Sequence, residues 1–185
     1  MRTNIFPAIK LTLVTLVFFG VIYPAIVWGI AQLTPDHGHG ELVSDHGKRY
    51  YANVGQSFTQ DRFFNGRPSA VGYNASGSGG SNKGPSNKEY LDAVQARIDT
   101  FLVHNPGISK KEIPVELVTA SGSGLDPDIS PKAAMVQVRR IAAVRKMDEE
   151  KIRQIVINNT EKPLLGMFGP AKVNVLSLNL ALENL

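Results

Sequence analysis

The residues best suited to chemistry lie in two glycine-serine stretches and one histidine-rich stretch. Residues 77–84 read GSGGSNKG. A phosphate-cradling P-loop needs a glycine, four residues and then Gly-Lys-Ser/Thr, so that backbone N–H groups wrap the phosphates and a hydroxyl reaches magnesium. Here Asn82 replaces the second glycine, Gly84 replaces the hydroxyl, and no apolar strand leads in. The pattern is not that of an ATPase loop. His37, His39 and His46, with Asp36, Glu41 and Asp45, gather potential metal ligands in residues 34–47. Their spacing fits no structural zinc pattern and the chain has no cysteine, so a solvated linker is expected and no metal site. A hydrolytic triad needs a nucleophile, a base and an orienting acid. Serines abound in residues 76–86 and 121–123, but only His104 lies beyond the linker, near a helix end where the dipole favours a cation. Gly122-Ser123-Gly124 lacks the spacing of a nucleophile elbow. Lys83 with Ser81 or Ser86 is too generic a pairing for Ser-Lys catalysis, and Asp126 and Asp128 flank Pro127 as a turn and helix start would have them. No catalytic constellation has its required parts, so no catalytic residue and no enzymatic activity of its own are expected.

The element that must position everything else is an oily one. Residues 11–33 read LTLVTLVFFGVIYPAIVWGIAQL, without a charged side chain. Roughly 23 residues at about 1.5 Å each cross a hydrocarbon core of about 30 Å. A cleaved signal peptide has a shorter apolar region followed by small residues; Trp28, Ile30 and Leu33 stand where those belong. The expectation is an uncleaved, single-pass transmembrane helix in the cell's inner (plasma) membrane. Arg2 and Lys10 flank its N-terminal side, whereas Asp36, Glu41 and Asp45 come first on the other. Excess lysine and arginine favours the cytoplasm. The predicted organisation is a short cytoplasmic N-terminus (1–10), the span (11–33), a linker (34–47) and an extracytoplasmic soluble domain (48–185). Pro24 lies inside the span and is expected to disturb its backbone ladder. Thr12, Thr15 and Gly20 fit a partner helix or plain lipid equally well.

Beyond the span about 150 residues remain, enough for one domain with its own core. The chain carries 20 basic and 16 acidic residues with no basic cluster, which gives no case for nucleic acid. Residues 65–87 form a long Gly/Ser/Asn loop, in which Arg67-Pro68, Tyr73-Asn74 and Pro85 imply docking rather than a free linker. Ser86 and Glu89 have capping-box spacing ahead of a helix that buries Leu91, Val94, Ile98, Phe101 and Leu102. Residues 113–120 read as a short strand, and Ser130-Pro131 starts a helix with Ala134, Val138, Ile141 and Ala142 inward. Arg139, Arg140, Arg145 and Lys146 are expected on its solvated face. Asp148 caps a further helix with Ile152, Ile155 and Val156 inward, and residues 173–182 read as a closing strand. The alternation predicts an α/β or α+β domain tethered by one N-terminal helix.

Several long motifs now stand in order: residues 63–70 (FFNGRPSA), Tyr73-Asn74, residues 78–82 (SGGSN), 84–87 (GPSN), 113–127 (IPVELVTASGSGLDP), Ile129-Ser130-Pro131 with Ala133-Ala134, Gln137-Val138 and Arg140-Ile141-Ala142, and the ending VNVL-LNLAL. Together they resemble the C subunit of the Kdp potassium-transporting ATPase, the KdpC family, over nearly the whole chain. The resemblance implies a non-catalytic accessory subunit of a high-affinity potassium uptake complex. Its partners would be a potassium-channel-like subunit and a P-type ATP-hydrolysing subunit. It would serve assembly and act as a catalytic chaperone that raises the ATP affinity of the P-type subunit. It implies no cofactor of the chain's own, with ATP as a ligand within the complex and Gln137 as the position of a nucleotide contact. The residue pattern alone reads Gln137 as a polar residue on an amphipathic helix. Charge topology pulls against direct contact, because ATP is cytoplasmic and the domain is expected outside. The alternative function is a membrane-anchored extracytoplasmic hydrolase or binding protein acting alone.

Overall fold

The computed structural model describes residues 4–45 and 47–185. Arg2, used above for orientation, and His46, one of the candidate metal ligands, lie outside the described residues. The chain divides into two compact units, Met1–Leu42 and Val43–Leu185.

In the first unit one helical rod of 27 residues, Ile5–Ala31, is long and apolar enough to cross a membrane. None of its side chains is buried. It comprises α1 (Ile5–Val17), a π-helical turn (Phe18–Ile22) and α2 (Tyr23–Ala31). The wide turn has a cause in the sequence. Pro24 has no N–H and its ring crowds the carbonyl four residues back. The ladder loosens just before it, with Tyr23 N–H bonding the Phe18 carbonyl five residues away. The Thr12 and Thr15 hydroxyls donate to the Ala8 and Leu11 carbonyls, each at 2.9 Å, so both are satisfied within their own helix. Thr34 Oγ1 donates to the Ala31 carbonyl at 2.7 Å, and His37 Nδ1 lies 3.0 Å from the Gln32 carbonyl. His37 thereby serves the helix end.

The second unit mixes helix and sheet. Two short strands, β1 (Leu42–Asp45) and β2 (Lys48–Tyr51), pair at its start. The long loop then leads to α3 (Lys88–His104), N-capped by Asn87, whose side chain accepts from Tyr90 N–H. Asn87 therefore takes the cap expected of Ser86. The α3 face is only half-buried: Phe101 packs on the core, whereas Leu91 is 50% exposed. The core is built by α4 (Pro131–Met135), α5 (Val138–Arg145), α6 (Glu149–Asn158) and α7 (Val175–Glu183) against a small sheet. That sheet has the order β3 (Asp128–Ile129), β5 (Lys172–Asn174), β4 (Thr160–Glu161), all antiparallel. Antiparallel pairing with helices packed together makes the domain α+β among the two classes expected. Ala134, Val138, Ile141, Ala142, Ile152, Ile155 and Val156 are all buried, as their spacing requires.

Three expectations need correction. Residues 113–120 are not a strand. Ile113 and Pro114 join two 3-10 turns, Lys110–Glu112 and Val115–Leu117, because proline withholds the N–H a ladder needs. Residues 173–182 are not one strand either. Only Lys172–Asn174 pairs, and Asn174 then caps α7 by accepting from Ser177 N–H at 3.0 Å. Leu176, Leu178, Leu180 and Leu182 alternate, but Val175, Leu178, Asn179 and Leu182 also fit the helical period and are buried, together with Leu176. Leucine and alanine favour the helix. The third correction concerns the arginines. Arg140 is 5% exposed, and the Arg145 side chain is 12% exposed. Neither belongs to a solvated face.

Arg145 and Arg62 both donate to the Glu183 carboxylate at the end of α7. These bonds hold the Glu183 carboxyl below its ordinary value. The Ser109 hydroxyl and N–H do the same to Glu112. A lowered folded pKa contributes stability above the unfolded value of about 4.3 and loses it as pH falls further. Melting temperature should hold steady from neutral pH to about 5 and then drop. Glu183→Gln should flatten part of that drop in pH-dependent thermal melts; an unchanged profile would assign the acid loss elsewhere.

Candidate functional site

Residues 61–67 (DRFFNGR) form neither helix nor strand, yet Phe64 at their centre is fully buried and its neighbours, the exposed Arg62 apart, are half-buried. Buried backbone groups need partners, and here side chains supply them. Asn179, on α7, accepts from Phe64 N–H at 2.8 Å and donates to the Phe64 carbonyl at 3.0 Å. Gln137, between α4 and α5, does the same for the next residue. Its Oε1 accepts from Asn65 N–H at 2.8 Å and its Nε2 donates to the Asn65 carbonyl at 3.1 Å. Two carboxamides thus act as surrogate strand neighbours for consecutive residues, with the fully buried Phe64 ring driven into the core between them.

Gln137 also explains why the helix expected from Pro131 onward comes as two. Gln137 N–H bonds the Ala134 carbonyl, three residues back, at 3.0 Å. That leaves the Ala133 carbonyl, which takes the Gln137 Nε2 donor at 3.0 Å. One side chain mends the break and grips the neighbouring segment. Gln137 is 0% exposed and both its amide atoms are engaged.

Arg140, one turn along α5, completes the grip. Its Nε donates to Asn105 Oδ1 at 3.0 Å and its Nη1 to the Asp61 carbonyl at 2.6 Å. Its Nη2 donates to the Phe63 carbonyl, to Asn65 Oδ1 and to Gln137 Oε1 at 3.1, 2.9 and 2.8 Å. Burial pulls this guanidinium down from its ordinary value, while the Asp61 carboxylate 3.5 Å away opposes the shift. The planar fork suits a site where five acceptors converge, which an ammonium would not. Beside this network a cavity of about 410 Å³ opens between residues 58–65 and α3, lined by Phe58, Asp61, Arg97, Phe101 and His104 among others. Arg97 is spent on the Val118 carbonyl at 3.1 Å, and His104 Nδ1 lies 2.9 Å from Asp61 Oδ1. His104 therefore meets a specific carboxylate as well as the end of α3.

The two Gly/Ser loops dock on each other. Gly79 N–H and the Ser78 hydroxyl donate to the Ser123 carbonyl at 2.8 and 2.9 Å. The Ser69 hydroxyl donates to the Gly124 carbonyl, and Arg67 pairs with Asp126 at 2.9 Å. Arg67-Pro68 thus dock on this chain's own second loop, with the Pro68 carbonyl accepting from Ser121 N–H at 3.2 Å, whereas Tyr73 bonds back within its own loop, its hydroxyl donating to the Arg67 carbonyl. Gly124 sits at φ +68°, and a Cβ there would come within 2.6 Å of Val71 and 2.8 Å of the Gly79 carbonyl. Gly124→Ala should destabilise the full chain by about 1–3 kcal/mol, read by thermal melting; an unshifted melt would show that the loops are not locked.

Chemically the arrangement holds a segment rather than attacks a bond. Lys83 pairs with Glu89 at 2.6 Å and not with a serine. Among the described residues, no hydroxyl bonds the His104–Asp61 pair and no group of His, Asp or Glu is placed to hold a metal ion. Sequence reasoning missed Arg140 and Asn179. The available signals were an arginine one turn after Gln137 and a lone asparagine inside a leucine-rich helix.

The family model of the K+-transporting ATPase c chain matches residues 5–184, which takes in the gripping side chains, the segment they hold and both loops. The chain belongs to the KdpC family. Curated relatives agree. The potassium-transporting ATPase KdpC subunit of Bacteroides fragilis (strain YCH46) is 56% identical over 182 residues, covering 96% of this chain and 95% of that one. The KdpC subunit of Flavobacterium psychrophilum is 55% identical, with 98% of each chain covered. That of Caldanaerobacter subterraneus is 47% identical over 94% of this chain and 91% of the other. The recognised motifs therefore belong to a KdpC fold in which the FFNGR segment is clamped from α5 and α7 and the SGGSN and SGSGL loops interlock.

Proposed function

We infer that this chain is a non-catalytic accessory subunit of a potassium-transporting ATPase. It is anchored by its N-terminal helix, serves assembly, and raises the ATP affinity of the P-type subunit that hydrolyses ATP. The observation that carries this reading is the consumption of the polar groups in the most elaborate site, Gln137, Arg140, Asn179 and Asn65, by internal bonds. Gln137, Arg140 and Asn179 are buried, and all four side chains hold the chain's own backbone in place, a structural role that suits a part presenting shape to its partners. Family membership supports the ATPase setting.

The soluble unit lies outside the membrane in this reading. Support comes from Lys10, in the N-terminal part of the rod ahead of its uncharged run, against Asp36 and Glu41 after the rod. An effect on ATP affinity then travels through the complex as a coupling free energy, typically about 1–3 kcal/mol. Leaving the chain out should abolish or weaken recovery of the assembled pump and raise its apparent KM for ATP; an intact pump with an unchanged KM would refute the reading. Orientation has its own test. Ser123 is exposed, so Ser123→Cys in intact cells should react with a membrane-impermeant maleimide. Protection until lysis would place the domain in the cytoplasm.

A further inference from the structure

The apolar rod carries an unmet acceptor in its interior. In a regular α-helix the Phe19 carbonyl would take Tyr23 N–H, but that donor is given to the Phe18 carbonyl. In the wider π register the donor would come from residue 24, and Pro24 has no N–H. Ile22, the donor of a tighter turn, lies inside the π-helical stretch itself. The Phe19 carbonyl is therefore left out of the backbone ladder.

Its depth makes that omission matter. Phe19 lies nine residues, about 14 Å of helix, beyond Lys10 and 17 residues before Asp36. Hydrocarbon at that level holds no water, and an unsatisfied backbone group there is costly. The rod's own side chains do not supply the donor. The Thr12 and Thr15 hydroxyls are engaged by the Ala8 and Leu11 carbonyls, and Gln32 Nε2 donates to the His37 carbonyl at 3.3 Å. The approach is open, however. The peptide that carries this carbonyl continues into Gly20, and beyond its two chain neighbours no side chain comes within 4 Å of the position a Gly20 Cβ would take.

We propose that a transmembrane helix of another subunit of the same complex packs on this π-helical turn and donates a hydrogen bond from a polar side chain to the Phe19 carbonyl. The proposal rests on the subunit reading above. The complementarity is one of partial charge. An unmet acceptor in hydrocarbon calls for an O–H or N–H donor, which lipid tails lack, and small residues are where helices in a membrane approach closely enough to share such bonds. A second copy of this chain fits less well. It would enter parallel and at the same depth, setting one Phe19 carbonyl beside the other, acceptor against acceptor.

The test uses the full chain, tagged and co-expressed with the other subunits of its complex. Pro24→Ala returns the missing N–H and lets the ladder close. Gly20→Leu keeps the acceptor but fills the approach. Both changes favour helix, so the melting temperature of each purified variant should hold or rise. Recovery of the other subunits should fall about three- to thirtyfold on each, the effect of one interhelical hydrogen bond in a membrane. A fall of less than threefold on either would overturn the proposal. Benzoylphenylalanine at position 19 should crosslink to a span of another subunit, located by mass; adducts only with lipid or with a second copy of this chain would overturn it. The polar residue of that span nearest the crosslink, changed to alanine, should weaken recovery by the wild-type chain but cause no further loss with Pro24→Ala, because both changes remove one bond. Additive losses would mean packing without the hydrogen bond and would overturn it too. If the wild-type chain itself retains none of the other subunits, the subunit reading fails and this contact with it; if wild type and both variants retain them alike, the reading stands and the contact alone falls.

Discussion

Arg140→Met should lower the unfolding free energy of the full chain in detergent by about 3–5 kcal/mol, the range seen when one partner of a buried charged network is removed. The reason is local. The substitution leaves the Asp61 and Phe63 carbonyls, Asn65 Oδ1 and Gln137 Oε1 without their common donor. At about 2–4 °C per kcal/mol for a chain of this size, the melting temperature should fall by roughly 6–20 °C. Arg140→Lys should recover only part of the loss, because a single ammonium cannot reach acceptors spread around a planar fork. Circular dichroism melts of the three proteins give the answer. Full rescue by lysine would mean that charge alone, and not the fork, holds residues 61–65.

Gln137→Ala should be the next most damaging change, lowering stability by about 2–4 kcal/mol. It frees the Asn65 N–H and carbonyl and the Ala133 carbonyl at once. The same variant separates two roles for this residue. Gln137 is fully buried and both its amide atoms are occupied. As a positioning residue it should show the loss as a lower melting temperature of the purified chain, with any change in ATP affinity of the complex following the loss of folded chain. A direct nucleotide contact would show the opposite split, an altered apparent ATP affinity at an unaltered melting temperature. Gln137→Asn provides a control, since it keeps the carboxamide but falls one methylene short of Asn65.

Much of this architecture was legible because local signals and tertiary packing agreed. Pro24 announced the disturbed turn of the apolar rod, and Ser130-Pro131 and Asp148 marked true helix starts. The inward stripes of α5 and α6 are those the 3.6-residue period gives. Where two periods fitted the same residues the reading went astray. Leu176 to Leu182 alternate like a strand, and only Asn174 as a cap and the buried set of α7 settle the helix. Residues 113–120 are rich in strand formers, but Pro114 denies the ladder an N–H. The grip on residues 61–65 was illegible for a deeper reason. Gln137 and Asn179 reach partners 72 and 115 residues away in sequence, and no local pattern encodes such a meeting. Arginine on a helix is commonly solvated, so Arg140 gave no sign of burial until five acceptors were seen around it.

The central claim is that this KdpC-family chain contributes to ATP use without performing catalysis. It is tested most directly by ATP hydrolysis measured on three samples: the purified full-length chain, the pump assembled with it, and the pump subunits without it. The chain alone should release no phosphate above background, and the assembled pump should reach half-maximal hydrolysis at lower ATP than the subunits lacking it. Turnover by the isolated chain, or identical ATP dependence with and without it, would contradict the account.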